Sequence, residues 1–206
     1  MRSRHYILFR NTAALVLAAA VVLVAGCAPR VISPYEKRPE AGEELFVRAE
    51  KLLAAGNQAG ALPLYIEYTA LYPDSSLVPD ALMRIAGIYY DQGRWSLAAT
   101  TYQRVVRDYS DSFYRVDAMI GIMQCLLQQS EYLDVLNYGS RAIDLAQSSD
   151  HRMQIFELTA DANSALSNPL EAALGYSRAL ESAGLTEHRA KKKEKYQQVL
   201  PNLNKA

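Results

Sequence analysis

Two cysteines and three histidines are all the soft ligands and imidazole bases that this 206-residue chain carries, and their spacing decides much of what it can do. None of His5, His151 and His188 falls in a metal-ligand spacing such as H-E-x-x-H, and neither a G-x-S-x-G turn nor a phosphate-binding glycine loop is present. Glu157 and Asp161 stand four apart, on one face of any helix that holds them. Without a nucleophile, base or ligand beside them, such a pair reads as surface charge rather than as an acid/base pair. No catalytic residue, metal site or diffusible cofactor is therefore expected. Cys125 sits in "IGIMQCLLQ", among apolar neighbours, and reads as a buried free thiol.

Cys27 stands in a different setting. The run from Ala13 to Ala25 holds no polar residue, yet its 13 residues fall short of the roughly 20 that a membrane-spanning helix needs. Arg2, Arg4 and Arg10 precede it, and Val24-Ala25-Gly26-Cys27 ends it. A basic start, a short apolar stretch and a small-residue ending are the parts of a secretory signal. The last four residues resemble the bacterial lipobox. That resemblance implies cleavage before Cys27, a diacylglycerol thioether on its sulfur and an N-acyl chain on its amine, and several acyl chains anchor stably where one does not. Ala28 stands where an Asp would hold such a protein at the inner membrane, so the resemblance implies the periplasmic face of the outer membrane. An ordinary signal peptide with an accidental cysteine, and an uncleaved short anchor, stay open as alternatives.

The chain has 22 basic and 22 acidic side chains, and removing residues 1–26 takes away three of the basic ones. A mature chain with net charge near −3 gives no reason to expect nucleic acid. After Cys27, "APRVISPYEKRPEAG" up to residue 42 is rich in proline and charge without apolar periodicity, which makes residues 27–42 an extended tether.

From residue 43 the chain repeats itself. "AGALPLYIEYTALYPDS" superposes on "SLAATTYQRVVRDYSDS" with an offset of 37 residues, and the same offset carries through four copies. Ala61, Ala98, Val135 and Ala172 form one column, and Tyr65, Tyr102, Gly139 and Tyr176 another. Leu45, Leu82, Met119 and Phe156 make a third; Ala49, Ala86, Met123 and Ala160 a fourth; Gly56, Gly93, Ser130 and Ser167 a fifth. Within a copy, Leu82, Ile85, Ala86 and Tyr89 recur at helical spacing, Gly93 breaks the pattern, and Trp95, Ala98, Tyr102 and Val105 resume it. Small residues allow close helix crossings and the aromatic fills the space between pairs. Pro73-Asp74-Ser75 is expected to stop one helix and cap the next. Val135 and Gly139 depart from the pattern, which predicts looser packing in the later copies.

This order of small, aromatic and turn positions resembles the tetratricopeptide repeat, whose usual period is 34 residues. The three extra residues of each period are expected in the link around "YPDSSLVPDA". A lengthened link of this kind is similar to that of the outer-membrane assembly lipoproteins related to BamD (YfiO) and of Tol-Pal-type coordinators. A second resemblance is to the amino-terminal repeats of LpoA-like penicillin-binding protein activators. The fold implied is all-α, a right-handed solenoid of four helix pairs over residues 43–184 (42–78, 79–115, 116–152 and 153–184), with a C-terminal capping helix.

Such a solenoid offers a groove lined by the first helix of each pair. Carrying over the family's positions gives Glu43, Phe46 and Glu50; Asp80, Met83, Arg84 and Tyr90; Asp117, Gln124 and Gln128; and Gln154, Glu157 and Asp161. Six of these are acidic, so the expected partner is a neutral or basic extended segment of another envelope protein; a merely solvated face is the alternative. The basic stretch of residues 185–206 carries Tyr196, Val199 and Leu203 at helical spacing and is expected to cap the array, with binding to anionic lipid headgroups, or the start of a linker, as alternatives. Together these readings predict a non-enzymatic scaffold lipoprotein acting in envelope assembly, or else an activator of a peptidoglycan synthase, or a truncated amino-terminal part of one.

Overall fold

Gly56, Gly93, Ser130 and Ser167 each adopt a left-handed backbone conformation, with φ of 76°, 71°, 62° and 59°. At each, the chain closes one helix in the same way. The amide of the left-handed residue donates to the carbonyl three positions back, as Gly93 does to Tyr90 at 2.9 Å, and the next amide reaches five back, as Arg94 does to Tyr89 at 2.9 Å. Ser130 and Glu131 repeat the pair of bonds on Leu127 and Leu126. This turn satisfies carbonyls that a helix end otherwise leaves bare, and glycine enters it without the steric cost borne by the two serines.

The computed structural model describes residues 42–182, all within the unit Pro39–Ala206. The expected signal segment, Cys27 with most of its tether, and the expected capping helix lie outside the described residues. Among the described residues there are eight α-helices and no strand: α1 (Glu43–Ala54), α2 (Gln58–Leu71), α3 (Val78–Asp91), α4 (Trp95–Asp108), α5 (Arg115–Gln128), α6 (Tyr132–Leu145), α7 (Ser149–Ala165) and α8 (Pro169–Ser182). Each helix packs on its neighbours in the chain, and α5 also meets α7. This is an all-α solenoid of four helix pairs.

The columns read from the sequence are its core. Ala61, Ala98 and Val135 are fully buried and Ala172 is 1% exposed; Ala49, Ala86, Met123 and Ala160 are fully buried as well. Tyr65, Tyr102 and Tyr176 are buried with them. Every second helix begins 37 residues after the last, at Gln58, Trp95, Tyr132 and Pro169, whereas the first helices begin at Glu43, Val78, Arg115 and Ser149. The variation lies in the links. Six residues, Tyr72–Leu77 and Tyr109–Tyr114, join the first three pairs, while only Ala146–Ser148 leads into α7, which runs to 17 residues instead.

One expectation needs correction. Ser75 does not cap α3, whose N-cap is Leu77 without a side-chain bond; its hydroxyl accepts from the Leu77 amide at 3.2 Å and so braces the link, as Ser112 does for Tyr114. The genuine serine cap is Ser148, which accepts from the His151 amide at 3.0 Å. At Gly139 itself the approach is close: a Cβ there would lie 2.3 Å from the Thr159 methyl, so glycine is what lets α7 close on α6. The space opens beside it, in a cavity of about 230 Å³ lined by Leu136, Ile143, Ile155 and Phe156 among others.

Candidate functional site

The residues that the sequence assigned to a groove belong to α1, α3, α5 and α7, and most of their polar groups are already engaged. Glu50 accepts from the Tyr65 hydroxyl and from Arg84 Nε at 3.0 Å. Arg84 also lies 3.7 Å from Asp80, one turn before it on α3. Asp80 is hydrogen-bonded by Tyr114, and burial lifts its carboxyl above the ordinary range against the pull of Arg84. Asp117 meets His151 Nε2 at 3.1 Å, and Asp161 accepts from the Tyr176 hydroxyl at 2.6 Å. Glu43 and Glu157 are half-buried and also have partners. Phe46 is not a groove residue: it is 8% exposed, with its ring centroid 5.7 Å from Tyr65 and 5.4 Å from Tyr68. Met83, Tyr90, Gln124 and Gln154 are half-buried, and Arg84 and Gln128 are exposed.

These contacts have a rule that the sequence reading missed. Glu50 to Arg84, Asp80 to Tyr114 and Asp117 to His151 each span 34 residues, so a carboxylate of one first helix is bound by a donor delivered with the next pair. A second set spans 15 residues within a pair, Glu50 with Tyr65 and Asp161 with Tyr176. Gly87 and Gly139 interrupt this set in the two middle pairs. The signal was in the register all along, but the donors are an arginine, a tyrosine and a histidine, so no single residue type repeats.

Burial, with the Glu50 carboxylate beside it, holds the Tyr65 phenol above its usual range, and burial pushes Tyr102 up to about 12. Cys125 is fully enclosed and forms no disulfide among the described residues, and burial raises its thiol to about 11, which keeps it from acting as a thiolate nucleophile. Among the described residues no group of three or more His, Cys, Asp or Glu is placed to hold a metal ion. Glu157 and Asp161 share α7, and Asp161 is taken up by Tyr176.

Where the third pair meets the fourth, a cleft of about 650 Å³ opens between the start of α5 and the start of α7. Phe113, 85% exposed, stands at its lip, with Val116 and Leu145 among the apolar lining and Asp117, Asp150 and His151 among the polar.

Stacked helix pairs with small residues at the crossings and a left-handed turn inside each pair define a helical-repeat protein. Residues 80–112, covering most of the second pair, match the tetratricopeptide repeat family. Among solved structures, the chain is similar to a thermophilic tetratricopeptide-repeat protein from Thermus thermophilus, at 14% identity over 77% of this chain and 98% of that one, with a TM-score of 0.44. It is also similar to the tetratricopeptide-repeat domain of P58(IPK), at 16% identity over 80% of this chain and 57% of that one, with a TM-score of 0.36. No curated protein matches the sequence.

Proposed function

We propose that the chain is a non-catalytic scaffold, acylated at Cys27 and held at the periplasmic face of the outer membrane, where its helix pairs bind other envelope proteins during outer-membrane assembly. The observation that carries the reading is the unbroken register of four helix pairs joined to a match for a repeat class that works through protein contacts. The lipobox-like Val24-Ala25-Gly26-Cys27 and the proline-rich tether support the anchor.

The internal pairing of Glu50, Asp80, Asp117 and Asp161 refines the expected partner. These acids are engaged within the array, so attraction for a basic segment rests less on them than their count suggests. Exposed polar positions such as Gln128 and the apolar lip at Phe113 are the surfaces left for contact.

The test is site-specific photo-crosslinking in cells from Gln124 and Gln128, with identification of the captured polypeptides. Capture of outer-membrane assembly proteins supports the reading, capture of a peptidoglycan synthase replaces it with the activator reading, and no specific capture from either position overturns both. Metabolic labelling with a fatty acid tests the anchor separately: label on the wild type and none on Cys27→Ala is expected.

A further inference from the structure

The cleft between the third and fourth pairs lies at a junction whose counterpart one period earlier is filled by two tyrosine rings. Between the second and third pairs, Tyr109 and Tyr114 pack against the core. The Tyr109 hydroxyl donates to the Pro73 carbonyl at 3.4 Å, and Tyr114 bonds the side chain of Asp80. Moving on by one period of 37 residues, Tyr109 becomes Ala146 and Tyr114 becomes His151, while the link shortens from six residues to three. Ala146 is 4% exposed and fills the backbone position without filling the volume.

We propose that this cleft is a docking site for an aromatic side chain, a tyrosine above all, carried by an extended segment of a partner polypeptide. The ring would lie on Val116 and Leu145 against Phe113, replacing the tyrosines that the chain supplies to itself at the preceding junction. Phe113 already packs edge-on against Tyr114, with centroids 5.9 Å apart, yet stays 85% exposed at the cleft, so the rest of its ring is open to a second aromatic partner. Acceptors for a tyrosine hydroxyl stand at the rim in Asp117 and Asp150. Where Asp80 is bonded by a tyrosine, Asp117 meets the half-buried imidazole of His151. The buried Nε of Arg115, itself part of this lining, makes no hydrogen bond among the described residues. With Arg115 set against Asp117 and Asp150, the fixed charges of the lining nearly cancel, which suits a segment without acidic residues and gives apolar and hydroxyl recognition the leading part.

The proposal rests on the scaffold reading and places its contact at the cleft rather than along the first helices. Its test uses the full-length lipidated protein in nanodiscs and the capped peptide acetyl-Gly-Tyr-Gly-amide at millimolar concentration, read by saturation-transfer difference spectroscopy. Transfer to the tyrosine ring is expected, with none to the alanine analogue. Phe113→Ser, at an exposed position, and Leu145→Asp, which installs the residue that stands at the equivalent position 108, should each weaken binding roughly tenfold with unchanged circular dichroism. Equal transfer to the alanine peptide, transfer indifferent to both variants, or no transfer to the wild type would overturn the proposal. Partner capture from Gln128 separates the two claims: if it survives Phe113→Ser while the peptide result fails, the scaffold reading stands and the cleft does not. If no partner is captured in wild-type cells, the scaffold reading itself fails.

Discussion

The junction between the second and third pairs and the junction between the third and fourth solve one packing problem with opposite residues. In the first, the second helix supplies the bulk: the Tyr102 ring lies against α5 at Gly121, where a Cβ would come within 2.6 Å of it. In the second, the second helix supplies the gap: Gly139 admits the Thr159 methyl from α7, 2.3 Å from where its Cβ would be. Large on small has become small on large. The helix positions survive the exchange while the filling between them does not, so the third junction keeps cavities of about 230 and 650 Å³. The core follows the same division. One continuous cluster runs from Phe46 to Ala162, and the buried residues of α8 gather in a separate small cluster with Met153 and Ala160.

The largest effect is expected where the bulk is concentrated. Tyr102→Ala should cost about 3 to 5 kcal/mol in chemical denaturation, since it removes a buried ring that Gly121 is shaped to receive. A loss under about 1 kcal/mol would mean that the ring contributes little to closing the junction. Gly139→Ala should cost about 1 to 3 kcal/mol by overpacking, and Thr159→Ser, by deleting the methyl, should restore part of it. Additive losses in that double-mutant cycle would contradict the small-on-large arrangement.

A gain is expected at the two serine turns. Ser130→Gly and Ser167→Gly relieve a left-handed conformation that the first two pairs assign to glycine, and each should raise stability by about 0.5 to 1 kcal/mol. The reverse exchange, Gly93→Ser, should lose a similar amount. The smallest effect concerns pH. Burial raises the Asp80 carboxyl above its unfolded value, so its contribution is present in full below the ordinary carboxylate range and is lost as pH rises through the raised value. Asp80→Asn should flatten that part of the stability profile in denaturant titrations at a series of acidic pH values; an unchanged profile would show that Asp80 ionises alike in both states.

Much of this fold is written in single residues because the same helix crossing recurs and selects the same kind of side chain each time. Ala61, Ala98, Val135 and Ala172 are legible for that reason, and so is the turn at Gly56, Gly93, Ser130 and Ser167. The surface was harder to read. Phe46 shares its column with Ile120, which is buried, but also with Met83 and Glu157, which are half-buried, so the column does not fix the phenylalanine's place against the tyrosines of α2. The acids of the first helices looked free because their donors vary among arginine, tyrosine and histidine and come either from the next pair or from across their own. The cleft at Phe113 left no motif, since it comes from rings that are absent and from a link shortened by three residues.

The claim on which the rest depends is that buried columns recur every 37 residues through the array. Thermal unfolding of Ala98→Leu beside Gln103→Ala tests it most directly, because the first position is fully buried at a helix crossing and the second is exposed on the same helix. Overpacking at Ala98 should cost about 1 to 3 kcal/mol, which lowers the melting temperature by roughly 2 to 12 °C for a chain of this size, while Gln103→Ala should stay within about 0.5 kcal/mol of the wild type. Equal melting temperatures for the two variants would contradict the register.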